Sequence, residues 1–263
     1  MRKNILLPAC AVGFGAAGLL MRRWELASAF EPDTGLAIPN APATLALIAL
    51  SIAFFLLSGG VLWRMCRGLK PLPYDDAFRC GQPAFITAVV CSAALLLGGG
   101  LLGILGYVNR SDPRLAYALL ALLAVLSGLC VVLMGRNNYR GEGKGRFSGP
   151  LLIPAYTWCL WLVLSYQSRA GDPIVLDYVY QLLAIICSLL GLYFMSGFSF
   201  EKGKPFLTLW AALLAVYFSC VTLADSHDWM SLLLYAFSIV YFTAHSVVLL
   251  HNLTCERKED THE

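Results

Sequence analysis

Charge is what this chain has least of. Only 13% of its 263 residues are charged, 59% are hydrophobic, and the mean hydropathy is +0.69. A water-soluble domain carries about 25% charged residues to cover its surface, so the composition excludes one. The net charge of +3, with no basic stripe, gives no footing for nucleic acid. The alternating pattern of a β-barrel is missing as well. The nine cysteines are scattered singly, mostly inside apolar runs, with no C-x-x-C. An odd, dispersed set argues against a disulfide framework and for small packing residues.

Catalytic signatures are equally scarce. There is no H-E-x-x-H and no G-x-S-x-G. Gly197-Phe198-Ser199 is G-x-S alone, a weak match to an intramembrane serine protease. Every lysine (Lys3, Lys70, Lys144, Lys202, Lys204, Lys258) lies in a connection or near a terminus, which excludes a mid-helix retinal Schiff base. Paired histidines for haem are absent. No carboxylate falls near the middle of an apolar run, which weakens a proton-coupled pump. The reading therefore leans away from an enzyme and assigns no catalytic residue, metal or cofactor.

What is present is apolar length. A helix needs about 20 apolar residues to cross hydrocarbon, and backbone groups there must pair within the segment. Eight runs qualify: about Ile5–Met21, Thr44–Trp63, Ala84–Val108, Leu115–Leu133, Leu151–Tyr166, Ile174–Ser196, Phe206–Leu223 and Trp229–Leu250. The fold expected is all-α, one polytopic bundle of eight transmembrane helices. Pro83, Pro150 and Pro205 punctuate the starts of spans three, five and seven. Asp112-Pro113, Asp172-Pro173 and Asp228 read as caps for spans four, six and eight.

Lysine and arginine fix the expected orientation. Fourteen of the 19 fall in the termini, Arg64–Pro83, Gly135–Pro150 and the Lys202–Lys204 connection, against five in the alternate loops. Both termini are therefore expected in the cytoplasm. Ala27-Ser28-Ala29 resembles a signal-peptidase site, but Arg22, Arg23 and Glu25 stand between it and the apolar run and oppose cleavage. The basic, glycine-rich Arg140–Arg146 loop lacks the spacing and the preceding strand of a phosphate-binding loop; it reads as a flexible loop against anionic headgroups.

Met21–Leu36 is the densest group of charged and aromatic residues on the expected outer face. Arg22 lies roughly 26 Å along the first helix, near the edge of the hydrocarbon. Two arginines there run against the positive-inside trend, and Glu25 shares a helical face with Arg22. Trp24 suits an interfacial belt. Glu31-Pro32-Asp33-Thr34-Gly35 reads as a turn. The stretch is either an outer recognition site or a helix end snorkelling into headgroups. Asp177 and Gln181 share a face of span six with Tyr178 and Tyr180 nearby. Asp177 is expected to pair with Arg169, Arg110 or the Arg22/Arg23 pair. His245 is the histidine deep in a span; it is a proton relay or the partner in one interhelical hydrogen bond. Gly13, Gly15 and Gly18 in span one, and Gly98–Gly100, Gly103 and Gly106 in span three, give small-residue faces, for packing inside the fold or against a second copy or membrane partner.

The stretch R-R-W-E-L-A-S-A-F-E-P-D-T-G-L, Arg22 to Leu36, is similar to one in hypothetical bacterial multi-span membrane proteins. The resemblance implies a bacterial cytoplasmic membrane and brings no activity. The expectation is a multi-pass protein that binds or transports a small molecule through an outward-facing polar vestibule of Arg22, Arg23, Trp24, Glu25, Asp177, Tyr178 and Gln181. The alternative is a non-catalytic accessory or scaffold subunit of a membrane complex.

Overall fold

The computed structural model describes residues 2–31, 36–68, 72–109, 114–141, 148–171 and 174–259. The Pro32–Gly35 turn, Arg110, the Asp112-Pro113 and Asp172-Pro173 caps, and Lys144 with Arg146 of the glycine-rich loop lie outside the described residues.

The described chain is helical, without strands; one isolated bridge joins Phe30 to Ala37. The helices are α1 (Arg2–Ser28), α2 (Pro42–Cys66), α3 (Tyr74–Phe78), α4 (Pro83–Val108), α5 (Leu115–Arg140), α6 (Ser148–Arg169), α7 (Val175–Gly197), α8 (Pro205–Thr222) and α9 (Trp229–Glu259). Eight of them, all but α3, are long and apolar enough to cross a membrane. Helix starts follow backbone chemistry. Pro42, Pro83 and Pro205 occupy the first turn, where a missing N–H costs nothing. The Asp228 carboxylate accepts the Ser231 N–H at 3.2 Å and caps α9.

Several helices outrun their apolar cores. α1 continues through Arg22-Arg23-Trp24-Glu25 to Ser28, and α9 runs on past Leu250 to Glu259. Hydrophobicity marks where lipid would end; backbone hydrogen bonding carries the helix further. α3 was not anticipated. Its buried Tyr74, Ala77 and Phe78 tuck it beneath the bundle. Asn252 of α9 donates to the Asp76, Ala77 and Arg79 carbonyls, each at 3.0 Å, and holds it there. The Asn138 amide donates to the Tyr74 hydroxyl at 3.2 Å, and burial raises the phenol above its ordinary pKa.

Neighbouring helices α4 to α9 pack in sequence, and α9 returns to α4, closing a ring of six. α1 and α2 lie against α8 outside that ring. α8 is therefore enclosed on several sides, and from Ala211 to Thr222 every residue is buried, as expected for a helix apolar all round. Aromatic side chains fill the ring. Trp158 of α6 packs on Phe237 of α9 at 5.1 Å, and Trp161 on Tyr235 at 4.8 Å between ring centroids.

Most of the glycines picked out in spans one and three serve this packing. Gly15 and Gly18 press on Cys220, Tyr217 and Val221 of α8. A Cβ on Gly100 would sit 2.7 Å from the Ala121 carbonyl oxygen, so glycine alone lets α4 and α5 approach there. Gly99 and Gly103 meet Leu234 and Met230 of α9, while Gly13 and Gly106 face open space.

Candidate functional site

The bundle end where α1 finishes and α7 begins holds a buried charge cluster. Arg22 is its centre, with a side chain 0% exposed. Its Nε donates to Asp225 Oδ1 at 2.8 Å, and Nη1 to Glu25 Oε2 at 2.7 Å. Nη1 also donates to the Leu176 carbonyl at 3.1 Å, and Nη2 to the Asp177 carbonyl at 2.8 Å. The guanidinium stands 5.2 Å from the Tyr180 ring centroid, within cation–π range. One side chain thus ties the end of α1 to the first turn of α7 and to the turn after α8.

The acids are positioned by their own helices. Glu25 lies one turn after Arg22 on the buried face of α1 and is 0% exposed. Asp225 follows the C-terminus of α8; its Oδ2 accepts the Thr222 hydroxyl at 3.1 Å. His227 Nε2 donates to the Thr222 carbonyl at 2.7 Å and closes the same turn. The Arg22 guanidinium stands at this same helix C-terminus, where a cation is favourable in its own right. Two carboxylates share one guanidinium, and Glu25 Oε1 is buried without a hydrogen-bond partner among the described residues.

Beside the cluster, between α2 and α7, lies an open cleft of about 800 Å³. Ile48, Ile52 and Phe55 of α2 form one wall, Val179 and Leu183 of α7 the other, and Phe218 of α8 the floor. Leu36 and Ala37, with Ile174 to Leu176, line its rim. Its polar groups are Ser51 and Tyr180. The Ser51 hydroxyl donates to the Leu47 carbonyl at 2.8 Å and lies 2.9 Å from the Tyr217 hydroxyl. Tyr180 has the Arg22 guanidinium behind it, so the charge cluster backs the cleft wall.

The residues singled out in the sequence separate into three groups. Arg22, Glu25 and the Asp177 backbone are brought together, enclosed rather than lining an open vestibule. The Asp177 carboxylate turns the other way, to Arg169 Nη1 at 3.1 Å, with the two side chains 41% and 34% exposed. Arg23 and Trp24 are exposed on the far face of α1, Tyr178 is buried, and Gln181 is half-buried beside the Tyr235 hydroxyl. His245 lies apart, near α3. It is buried, donates Nδ1–H to the Tyr241 carbonyl of its own helix at 2.9 Å, and is walled by Phe78, Phe85 and Tyr241. This hydrogen bond stays within α9.

The sequence reading did not anticipate Ser51, Tyr217 or Asp225. The polar run Asp225-Ser226-His227-Asp228 after a long apolar segment was the available signal for the last. Comparison of the chain with protein-family models, curated proteins and solved structures gave no match.

Proposed function

We propose that the chain is a multi-pass protein of a bacterial cytoplasmic membrane, and that it binds a lipid-soluble small molecule with a polar head in the cleft between α2 and α7. With both termini cytoplasmic, the cleft lies in the outer half of the bilayer. The observation that carries this reading is the cleft itself: about 800 Å³, apolar along both walls, with Ser51 and Tyr180 as its polar contacts. Drug-sized ligands occupy clefts of roughly 300–1,000 Å³ with a few placed polar groups. The apolar body would lie along Ile48, Ile52 and Val179. Its head would reach Ser51 and Tyr180, beside a cluster whose Glu25 Oε1 has no donor among the described residues. The aromatic filling between α6 and α9 supports binding over an aqueous path through the ring.

Native mass spectrometry of protein extracted in mild detergent tests the proposal. One tightly held, non-phospholipid small molecule per chain is expected. Ile52→Trp and Val179→Trp, which fill the cleft, should each remove it while preserving fold and melting temperature. Co-purification of bulk phospholipid alone, equal in wild type and both variants, refutes it. The accessory-subunit reading draws support from the same filled interior. It requires a stable complex in native membranes, which blue-native electrophoresis would reveal.

A further inference from the structure

A second cavity lies at the opposite end of α7 and is independent of the cleft. It is open, encloses about 390 Å³, and is lined by Leu152 of α6, Tyr193, Phe194, Ser196 and Gly197 of α7, then Phe200, Lys202 and Lys204 of the α7–α8 connection. We propose that it is a binding site for an anionic phospholipid, with Lys202 and Lys204 holding the phosphate and Leu152, Tyr193 and Phe200 taking the glycerol and upper acyl chain.

The connection is wound tightly enough to place both lysines. Phe198–Phe200 continue α7 as a single 3₁₀ turn, and Glu201 adopts a left-handed φ of 56°. The Lys202 N–H then returns to the Gly197 carbonyl at 3.0 Å. A Cβ on Gly203 would lie 2.6 Å from the buried Phe198 ring, so the loop is packed down on the bundle at that point. Pro205 starts α8 immediately afterwards. Lys202 and Lys204 therefore both line one cavity, and its lining among the described residues includes no Asp or Glu.

The walls fit a lipid better than a free anion. Tyr193 is 58% and Phe200 49% exposed, large aromatic faces at a helix end, where interfacial aromatics sit against headgroups. A phosphate ion would use the lysines and leave these faces bare. A phospholipid covers both. This end of the bundle also carries α3 and the bulk of the lysines and arginines, and basic pockets between helices on such a face recognise anionic headgroups.

Two lysines near a membrane surface correspond to roughly 30-fold selectivity for an anionic over a zwitterionic lipid. The full-length protein in nanodiscs of phosphatidylcholine, titrated with phosphatidylglycerol and followed by native mass spectrometry, is expected to show that preference at one saturable site. The Lys202→Gln/Lys204→Gln double variant should lose about 10-fold or more of it. Leu152→Trp, which keeps both charges and fills the cavity, should lose it too. Arg64→Gln/Arg67→Gln, in another basic connection at the same end, should retain it. Selectivity unchanged in the lysine double variant overturns the proposal. So does equal loss in the Arg64/Arg67 control, which would mean general surface charge. Competition by millimolar inorganic phosphate, with Leu152→Trp binding as wild type, would assign the lysines to a free anion and overturn the lipid assignment.

Discussion

Replacing Arg22 with methionine is the sharpest test of the charge cluster. The substitution keeps an apolar stem of similar length and removes every donor. Among the described residues, Glu25 loses the partner of its Oε2, Asp225 keeps the Thr222 hydroxyl, and the Leu176 and Asp177 carbonyls lose their contacts to the guanidinium. Breaking a buried ion pair from one side costs about 3–5 kcal/mol, because the remaining charge stays buried and uncompensated. At roughly 2–4 °C per kcal/mol for a chain of about this size, the apparent melting temperature in detergent should fall by about 10 °C. Arg22→Lys should recover little, since one ammonium cannot reach α7 and the α8 turn together with planar, forked geometry. Adding Glu25→Met to Arg22→Met removes the stranded carboxylate, so the pair should fall short of additivity by about 0.5–3 kcal/mol. Arg169→Gln is the contrast: that pair with Asp177 is partly exposed, so its loss should cost under about 1 kcal/mol and shrink in high salt. A melting temperature for Arg22→Met within 2 °C of wild type, on the scale of that exposed pair, would refute the reasoning. Strict additivity in the Arg22/Glu25 cycle would refute the coupling.

Two further outcomes follow from the packing and the charge bias. Trp158→Ala empties the contact between α6 and α9 and should destabilise by about 3–5 kcal/mol, read as a lower detergent melting temperature; a neutral result would mean the ring is not packed through its centre. A membrane-impermeant maleimide applied to intact cells should label Ser226→Cys at the α8–α9 turn. It should reach Cys255 only after permeabilisation, with exposed Cys10, Cys91 and Cys159 first replaced by alanine; labelling of both from one side would sink the orientation.

How much of this could be read from the chain depends on the range of the interaction. Glu25 stands three residues from Arg22, and helical periodicity alone puts them on one face. Asp228 before Trp229 announces a cap, and the structure has it. The Asp225 partner of Arg22 is 203 residues away, and no periodicity connects them; it takes the packing of α1 on α8. The cleft is harder still. Ile48, Ile52 and Phe55 are ordinary lipid-facing residues by composition, and they become a wall because α2 rests on α1 and α8 with an open cleft between it and α7. The glycines of α1 and α4 show the same divide. Their spacing marks a close approach but does not name the helix approached. Glycines of this kind serve equally well against a second copy or against α8, and what decides for Gly15 and Gly18 is the position of Cys220 and Val221 on a helix about two hundred residues further along. In sequence Arg22 is either an outer recognition residue or a snorkelling helix end, and periodicity leaves that open for the same reason. A charge at the end of an apolar run is conspicuous in sequence, whereas the four acceptors that enclose it come from three separate segments. The neighbouring Tyr180, one turn past Asp177 and named only in passing, is the residue that carries the cluster's influence to the cleft.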